Sequence, residues 1–370
     1  MPGPSSGQFI EAVNGRTPPF IGRQPVEGFS ALLPGDDGAF LALSDNGFGT
    51  QETSPDFLLR VYELRPDFRT RTGGSGSVAV RPLFLLRDPD RLIPFGIVAE
   101  LDRYPGSEID VAPEIRSGRL LTGGDFDPES FRRAPDGTFY FGDEFGPFLL
   151  HTDATGVLVE PPIPLPGVRS PQHPELGDDE PTLSRSGGFE GMALSADGLT
   201  LLPMLEHALA GRGLARNIYA FDLRTGRYTH RHPDSAAYRY RMEAEGIGVT
   251  EMTWWRGDEY LVIERDDGEG STASLKKVFL VNTLVRDAEG YLVKTEIIDL
   301  LDIADPHEVG RMGPRFSFPF WTTESLVIVD DSTVGIINDN NYPFGQARGA
   351  EPGGPDHTEF LLIRLRRPPS

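Results

Sequence analysis

Acidic residues recur at matched places along this chain. Five stretches each carry an acid, a short strand, a tight turn, a second strand and a further acid or amide. The first is "VEGFSALLPGDDGAFLALSDNGFG", with Glu27 and then Asp45-Asn46. The second is "FDPESFRRAPDGTFYFGDEFGP", with Asp127 and Glu129 and then Asp143-Glu144. "FEGMALSADGLTLLPMLEHA" follows with Glu190 and Glu206, and "VTEMTWWRGDEYLVIERDDG" with Glu251 and Glu264-Arg265-Asp266. "TTESLVIVDDSTVGIINDNNYPFG" closes the series with Glu324 and Asn338-Asp339-Asn340. Gathered in one place, such carboxylates cannot all ionise without opposite charge nearby. Oxygen-only ligands at high density suit hard cations: Ca²⁺, which accepts about six to eight, and also Mg²⁺ or Mn²⁺.

The leading ligand candidates are Glu129, Asp143, Glu190, Glu206, Glu251 and Glu264, followed by Asp45 and Asp339. A bound cation could hold a phosphate, lower the pKa of a coordinated water and stabilise charge on phosphoryl oxygens. Glu190 or Glu206 would then serve as general base. Arg265, in the repeat position beside Glu264, is the first candidate to clamp phosphate, ahead of Arg315, Arg185, Lys276 and Lys277. His207, next to Glu206, could ligate metal or shuttle protons; His173 and His307 also adjoin Pro or carboxylate. Acids at strand ends also cap turns or pair with Arg. Hairpin grammar accounts for Asp136-Gly137 and Asp197-Gly198 but not for Glu129 or Glu190.

The elements that must deliver these acids are hairpins, whose first and last residues meet at one rim. Within a copy the two acids lie 13 to 18 residues apart. The first acid stands at 27, 129, 190, 251 and 324, in steps of 102, 61, 61 and 73. A unit near 60 residues suits a four-stranded propeller blade with a long loop. The expected fold is an all-β, single β-propeller over residues 1–370. Six blades are expected, with five or seven also compatible. The long first step hides either a degenerate blade or an insertion such as "RTRTGGSGSV". The C-terminal "TEFLLIRLRRP" is expected to pair beside "QFIEAV" and close the ring. Residues 1–7 read as a disordered N-terminus. Short helices fit only "LLDIADPHEVG" and "DSAAYRYRMEA". Core packing is the default for both Trp254 and Trp255, with one in the core and the other at a rim as the alternative.

"GFEGMALSADGLTLL", "DFDPESFRRAPDGTFYFGDEFGPFLLHTDATG" and "LVIVDDSTVGIINDNNYPFG" resemble the phytase-like family, described as having esterase-like activity of phytase. The resemblance spans roughly residues 24 to 345. It implies a β-propeller of bacterial, usually exported proteins. By looser kinship it implies the calcium-dependent propeller phytases and phosphatases, with clustered metals at the channel mouth. It carries over to Glu27, Asp45, Asn46, Asp127, Glu129, Asp143, Glu144, Glu190, Glu206, Glu251, Glu264, Asn338, Asp339 and Asn340. A periplasmic or secreted location follows from the resemblance.

Composition narrows the classes. A net charge of −21 argues against nucleic acid and anionic membranes, which need a basic patch. The absence of cysteine excludes disulfides, thiolate catalysis and zinc–thiolate sites. No apolar run reaches membrane-spanning length and no signal-peptide core is visible. The only G-x-S-x-G, Gly3-Pro4-Ser5-Ser6-Gly7, follows no strand, and no P-loop, dinucleotide fingerprint or H-E-x-x-H occurs. Only three lysines are present, few for a polyphosphorylated ligand. The leading reading is a metal-dependent phosphoester hydrolase acting on a small phosphoester or other anionic ligand, as a monomer. A non-catalytic calcium- or ligand-binding propeller and a metal-assisted carboxylesterase stay open.

Overall fold

Among the described residues, short runs rich in Phe, Val, Ile and Leu, punctuated by Asp-Gly, Gly-Asp and Pro, fold into five antiparallel sheets arranged as propeller blades. A separate two-stranded ribbon pairs Ile303–Ala304 with Arg315–Phe316. The computed structural model describes residues 1–230, 232, 235–348, 354 and 356–365. Blade 1 holds Ala31–Pro34, Phe40–Leu43, Arg60–Asp67 and Ser77–Leu85. Blade 2 holds Pro128–Arg133, Phe139–Asp143, Phe148–Thr152 and Ile163–Pro164. Blade 3 is built on Phe189–Leu194, Thr200–Leu205, Phe221–Asp222 and Arg227–Tyr228. A side pair, Ala215–Ile218 with Tyr238–Arg241, extends it. Blade 4 holds Ile247–Arg256, Glu259–Asp266, Lys276–Arg286 and Leu292–Asp299. Blade 5 holds Thr322–Asp330, Thr333–Asp339 and Phe360–Arg364.

The first strand of each blade touches the first strands of both neighbouring blades, so these strands line a closed ring. Five apolar cores lie one in each gap between blades. Alternate residues of a strand therefore face opposite neighbours. Phe131 and Phe141 stack 5.7 Å apart toward blade 1, while Tyr140 and Leu149 pack toward blade 3. Burial on both faces explains near-continuous apolar runs where a half-exposed sheet would alternate. Each fully buried Phe or Leu contributes about 1.5–3 kcal/mol.

Five blades stand at the lower end of the expected five to seven. The 102-residue first step is filled by an insertion rather than a blade. Residues 86–125 carry the helix Pro113–Gly118 and a short 3₁₀ turn, and pack Leu86, Ile97, Tyr104 and Ile115 into the gap between blades 1 and 2. The segment "RTRTGGSGSV" is only the hairpin joining the outer strands of blade 1. Neither expected helix forms among the described residues: Ile303–Ala304 and Tyr238–Arg241 are strands, and Asp234 lies outside the described residues.

Ring closure differs from expectation as well. Phe360–Arg364 pairs with Thr333–Asp339, the strand before it, and not with residues 8–13. Side chains close the ring instead. Phe40 meets Phe360 edge-on at 4.9 Å, and the Leu32 N–H donates to Ser325 Oγ at 2.9 Å. Residues 1–7, read as disordered, bridge to residues 20–23 through Pro2–Arg23 and Ser6–Phe20, with Ser6 buried.

The channel is filled below its mouth. Arg132 of blade 2 donates to Glu251 Oε1 of blade 4 at 2.7 Å and to the Met252 carbonyl at 3.0 Å. Ser325 Oγ of blade 5 donates to Glu251 Oε2 at 2.9 Å. All three residues are buried, and they join four blades across the axis.

Candidate active and metal site at the channel mouth

A β-bulge near the start of the inner strand sets the direction of one side chain per blade. In blade 2, Pro128 pairs with Asp143 and Ser130 with Gly142, leaving Glu129 as the extra residue. In blade 5, Thr323 pairs with Asn338 and Ser325 with Ile337, leaving Glu324. In blade 3, Glu190-Gly191 oppose the single residue Met204. In blade 1, Ser30 and Ala31 both address Leu43. A bulge turns the extra side chain out of the sheet's alternation, and here Ser30, Glu129, Glu190 and Glu324 all face one pocket.

A second ring comes from a residue within two positions of the end of each second strand: Asp45, Glu144, Glu206, Arg265 and Asp339. Hydrogen bonds set their level, as the Glu144 N–H meets Asp127 O at 2.8 Å and the Glu206 N–H meets Gly188 O at 2.9 Å. Glycine makes room for this ring. A Cβ at Gly188 would lie 2.2 Å from Glu144 O, and one at Gly28 2.2 Å from Asp339 Oδ1. Asp127, Asn46, His207, Asp267, Trp321 and Asn341 complete a cavity of about 320 Å³. Asn46 anchors Asp127, its N–H reaching Oδ1 at 3.1 Å and its amide Oδ2 at 2.9 Å.

Three carboxylate triplets overlap in this cavity: Asp45–Asp127–Glu129, Glu129–Glu190–Glu324 and Glu144–Glu190–Glu206. Within each, one oxygen per residue lies within 4.8 Å of the others. Glu129 and Glu190 each belong to two. Burial, reinforced by acidic neighbours, pushes Asp127, Glu129, Glu144, Glu190 and Asp339 well above the usual carboxylate range. Burial also raises Asp45, and pushes Glu324 up to about 7 against the pull of Arg265.

Among the described residues, Arg265 is the only Lys or Arg in the lining. Its burial opposes the charge, but Glu324, Glu206 and Glu190 outweigh that and hold the guanidinium charged. Nη2 lies 3.6 Å from Glu206 and 3.9 Å from Glu324, and Nη1 pairs with Asp267. His207 stands at the rim, with Nε2 3.4 Å from Glu206 Oε2 and Nδ1 2.8 Å from Ser184 Oγ.

Several expected residues lie elsewhere. Glu251 is not at the mouth, because the bulge of blade 4 falls one residue earlier, at Thr250. Glu251 therefore takes the next position, facing the channel, and pairs with Arg132. Asp143 and Glu264 sit one residue before the second ring and point away. Asp143 accepts the Asp127 and Gly146 N–H groups at 2.9 and 2.7 Å. Glu264 accepts from Tyr240 Oη at 2.5 Å and the Glu243 N–H at 3.0 Å, and pairs with Lys294. Asn338 and Asn340 bond the backbone at Glu359 and Asp356. Glu27 is buried outside the lining.

Of the other cations, Arg185 pairs with Glu52, Arg315 with Asp302 and Lys277 with Glu296. Lys276 is buried against Asp266. Glu324 opens the fifth copy of the repeat yet was not among the sequence-derived ligand candidates; its place in that copy was signal enough. Ser30, Asp267, Trp321 and Asn341 carried no such signal. A larger, more open cavity of about 510 Å³ lies on the insertion, where Arg91 pairs with Glu100 and Arg116 with Asp102.

A family model for phytase-like proteins, described as "Esterase-like activity of phytase", matches residues 24–342. A protein of Arthroderma benhamiae named "Uncharacterized secreted protein" is 24% identical over 293 residues. That match covers 64% of this chain, which spans only 56% of the relative's length. Among solved structures, a GH43 β-1,3-galactosidase matches with a TM-score of 0.47 and 9% identity, over 97% of this chain and 59% of that one. The PQQ-bound aldose sugar dehydrogenase of Streptomyces coelicolor matches with a TM-score of 0.38 and 12% identity, over 94% and 86%.

Proposed function

The chain belongs to the phytase-like family, and on that footing we propose that it is a phosphoester hydrolase dependent on a hard divalent cation, calcium first, working at the acidic mouth. One observation carries the reading: the three overlapping carboxylate triplets share Glu129 and Glu190 around a single pocket. The donor set fits such a cation, being all oxygen. Glu324 Oε2 is buried there with no hydrogen-bond donor among the described residues. When bound, the cation neutralises the carboxylates, binds phosphoryl oxygens and acidifies a coordinated water.

The chain's own groups supply the rest. Glu129, Glu190 and Glu324, with Asp45, Asp127, Glu144 and Glu206, would hold the cation or cations. Arg265 clamps a non-bridging phosphate oxygen, its charge secured by the acids around it. His207, half-exposed and beside Glu206, takes or gives a proton at Nε2. Among the described residues the lining offers a single Lys or Arg side chain, which supports a substrate with one phosphate group rather than a polyphosphorylated ring. The Arthroderma benhamiae relative, named a secreted protein, supports export of this chain.

The test is metal analysis of the purified chain, beside a panel of phosphomonoesters, phosphodiesters and carboxylesters assayed with and without Ca²⁺. Calcium-dependent turnover of a phosphoester is expected. A second reading has an observation of its own: Arg265 already shares its charge with three carboxylates. That favours a propeller that binds cations without turnover, and calcium-induced stabilisation with no hydrolysis anywhere in the panel would select it. Turnover of carboxylesters alone would select a metal-assisted carboxylesterase.

A further inference from the structure

Among the described residues, one apolar side chain lines the acidic mouth: Trp321, 39% exposed. The chain around it is fixed. Phe318 and Phe320, just before it, are buried and meet edge-on at 4.7 Å. The Pro319 carbonyl accepts the Gly270 N–H at 2.8 Å, and Thr322 begins the inner strand of blade 5. Lys276, fully buried, donates from Nζ to the Trp321 carbonyl at 3.0 Å and also to the Asp266 carbonyl. The backbone of Trp321 and that of Asp266, the residue after Arg265, therefore meet on one ammonium. Trp321 and the candidate phosphate clamp are neighbours across the junction of blades 4 and 5.

An exposed indole among carboxylates adds nothing to cation binding and little to stability, because an apolar side chain stabilises a fold by being buried. What it offers is a flat, electron-rich face on a rigid support. A sugar ring carries C–H groups on its face and hydroxyls around its edge. The face suits the indole. The hydroxyls suit Asn341 and Asp267, which share the lining, Asp267 being 71% exposed and paired with Arg265 Nη1. A plain aryl group would cover the indole but leave those polar groups without partners, and a short alkyl chain would do neither. We infer that Trp321 is the platform for the leaving group and that the substrate is a singly phosphorylated sugar, its phosphate on Arg265 and its ring on Trp321. Water gives its hydroxyl to phosphorus and a proton to the departing sugar oxygen, so inorganic phosphate and free sugar leave. The inference rests on the phosphoester reading above and supplies its substrate class.

The experiment uses the full chain in saturating CaCl₂. Values of kcat and KM are measured for a glucose monophosphate, glycerol monophosphate and phenyl phosphate. The samples are the wild type, Trp321→Ala, Trp321→Phe and a control, Trp254→Ala, whose indole is 37% exposed on blade 4 outside the lining. The wild type should have its highest kcat/KM on the glucose ester. Trp321→Ala should raise KM for that ester roughly tenfold more than for the glycerol ester, with kcat changing less than KM. Trp321→Phe should restore most of the difference, and Trp254→Ala should not produce it. Equal KM changes on the glucose and glycerol esters, or a wild-type preference for phenyl phosphate, would overturn the inference. If Trp321→Ala melts well below the wild type, Trp321→Leu replaces it and is read by the same outcomes. Quenching of tryptophan fluorescence by the glucose ester is recorded alongside, and should survive in Trp254→Ala but vanish in Trp321→Phe. That quench without turnover of any phosphoester would sink the hydrolase reading and leave the platform standing. Turnover without a quench that depends on Trp321 would sink the platform alone.

Discussion

Withdrawing divalent cation should destabilise this protein at neutral and alkaline pH far more than in acid. Glu324 shows the sign. Its carboxyl is raised from 4.5 to about 7 in the folded chain, chiefly by burial. A raised folded pKa gives stability that is fully present below the unfolded value and is lost as pH rises through the folded one. Without metal, stability should therefore fall between about pH 4.5 and 7, by roughly 3 kcal/mol from this group alone. Asp127, Glu129, Glu144, Glu190 and Asp339 are raised as well, so they act in the same direction.

On the proposed reading, cation binding opposes the loss. At 100 times Kd, one bound ion stabilises by about 2.7 kcal/mol. For 370 residues, an unfolding entropy of about 2.1 cal/mol/K per residue converts that to roughly 3–4 °C in Tm. The assay is thermal unfolding followed by circular dichroism, in chelator and in 1 mM CaCl₂ (about 100 times a Kd near 10 µM), at pH 5 and pH 8. In chelator, Tm should be lower at pH 8 than at pH 5. Calcium should raise it at pH 8 by at least that increment, and by much less at pH 5, where protons compete. Equal calcium shifts at the two pH values, or none at pH 8, would refute the reasoning.

Glu190→Gln, at the junction of two triplets, should lower phosphoester turnover by at least the roughly 10–100-fold that losing a ligand-orienting neighbour costs. Turnover within twofold of wild type at saturating calcium would count against the shared-ligand role. Arg132→Met strands the buried Glu251 carboxylate and should cost about 3–5 kcal/mol in denaturant unfolding; adding Glu251→Gln should recover part of it. Thr250→Glu places a carboxylate at the one bulge that lacks an acid in blades 2 to 5. It should tighten calcium binding in titration calorimetry and lower Tm in chelator. A variant that changes neither would show that the bulge does not set side-chain direction in blade 4.

The architecture and the crowding of acids were legible because both rest on local signals: strand–turn–strand grammar and acids at matched hairpin ends. The phase was not. Glu251 occupies the same apparent slot as Glu129 and Glu190, but a bulge adds one residue to one strand and leaves no mark in composition. A single step along blade 4 moves Glu251 from the mouth to the channel and leaves Thr250 as the bulge residue, its hydroxyl bonded to the Thr323 carbonyl. Alternation decides Asp143-Glu144 and Glu264-Arg265 in the same way: the second residue of each pair faces the pocket and the first is turned into structure. Five blades fall within the expected five to seven; six is the first count that a unit near 60 residues suggests for 370. The difference is the insertion at residues 86–125, which thickens one interface instead of forming a blade. Trp321 and Asp267 reach the pocket through loop geometry, for which the sequence offered no pattern.

The Arg132–Glu251–Ser325 crossing gives the acidic chamber a traffic rule. An open central tunnel would let reactant enter at one face and product leave at the other. A plugged one is a cul-de-sac, so whatever enters the chamber leaves by the mouth it came in through. On the hydrolase reading proposed above, substrate and product would share that one entrance, and inhibition by the anionic product would be the kinetic sign of it.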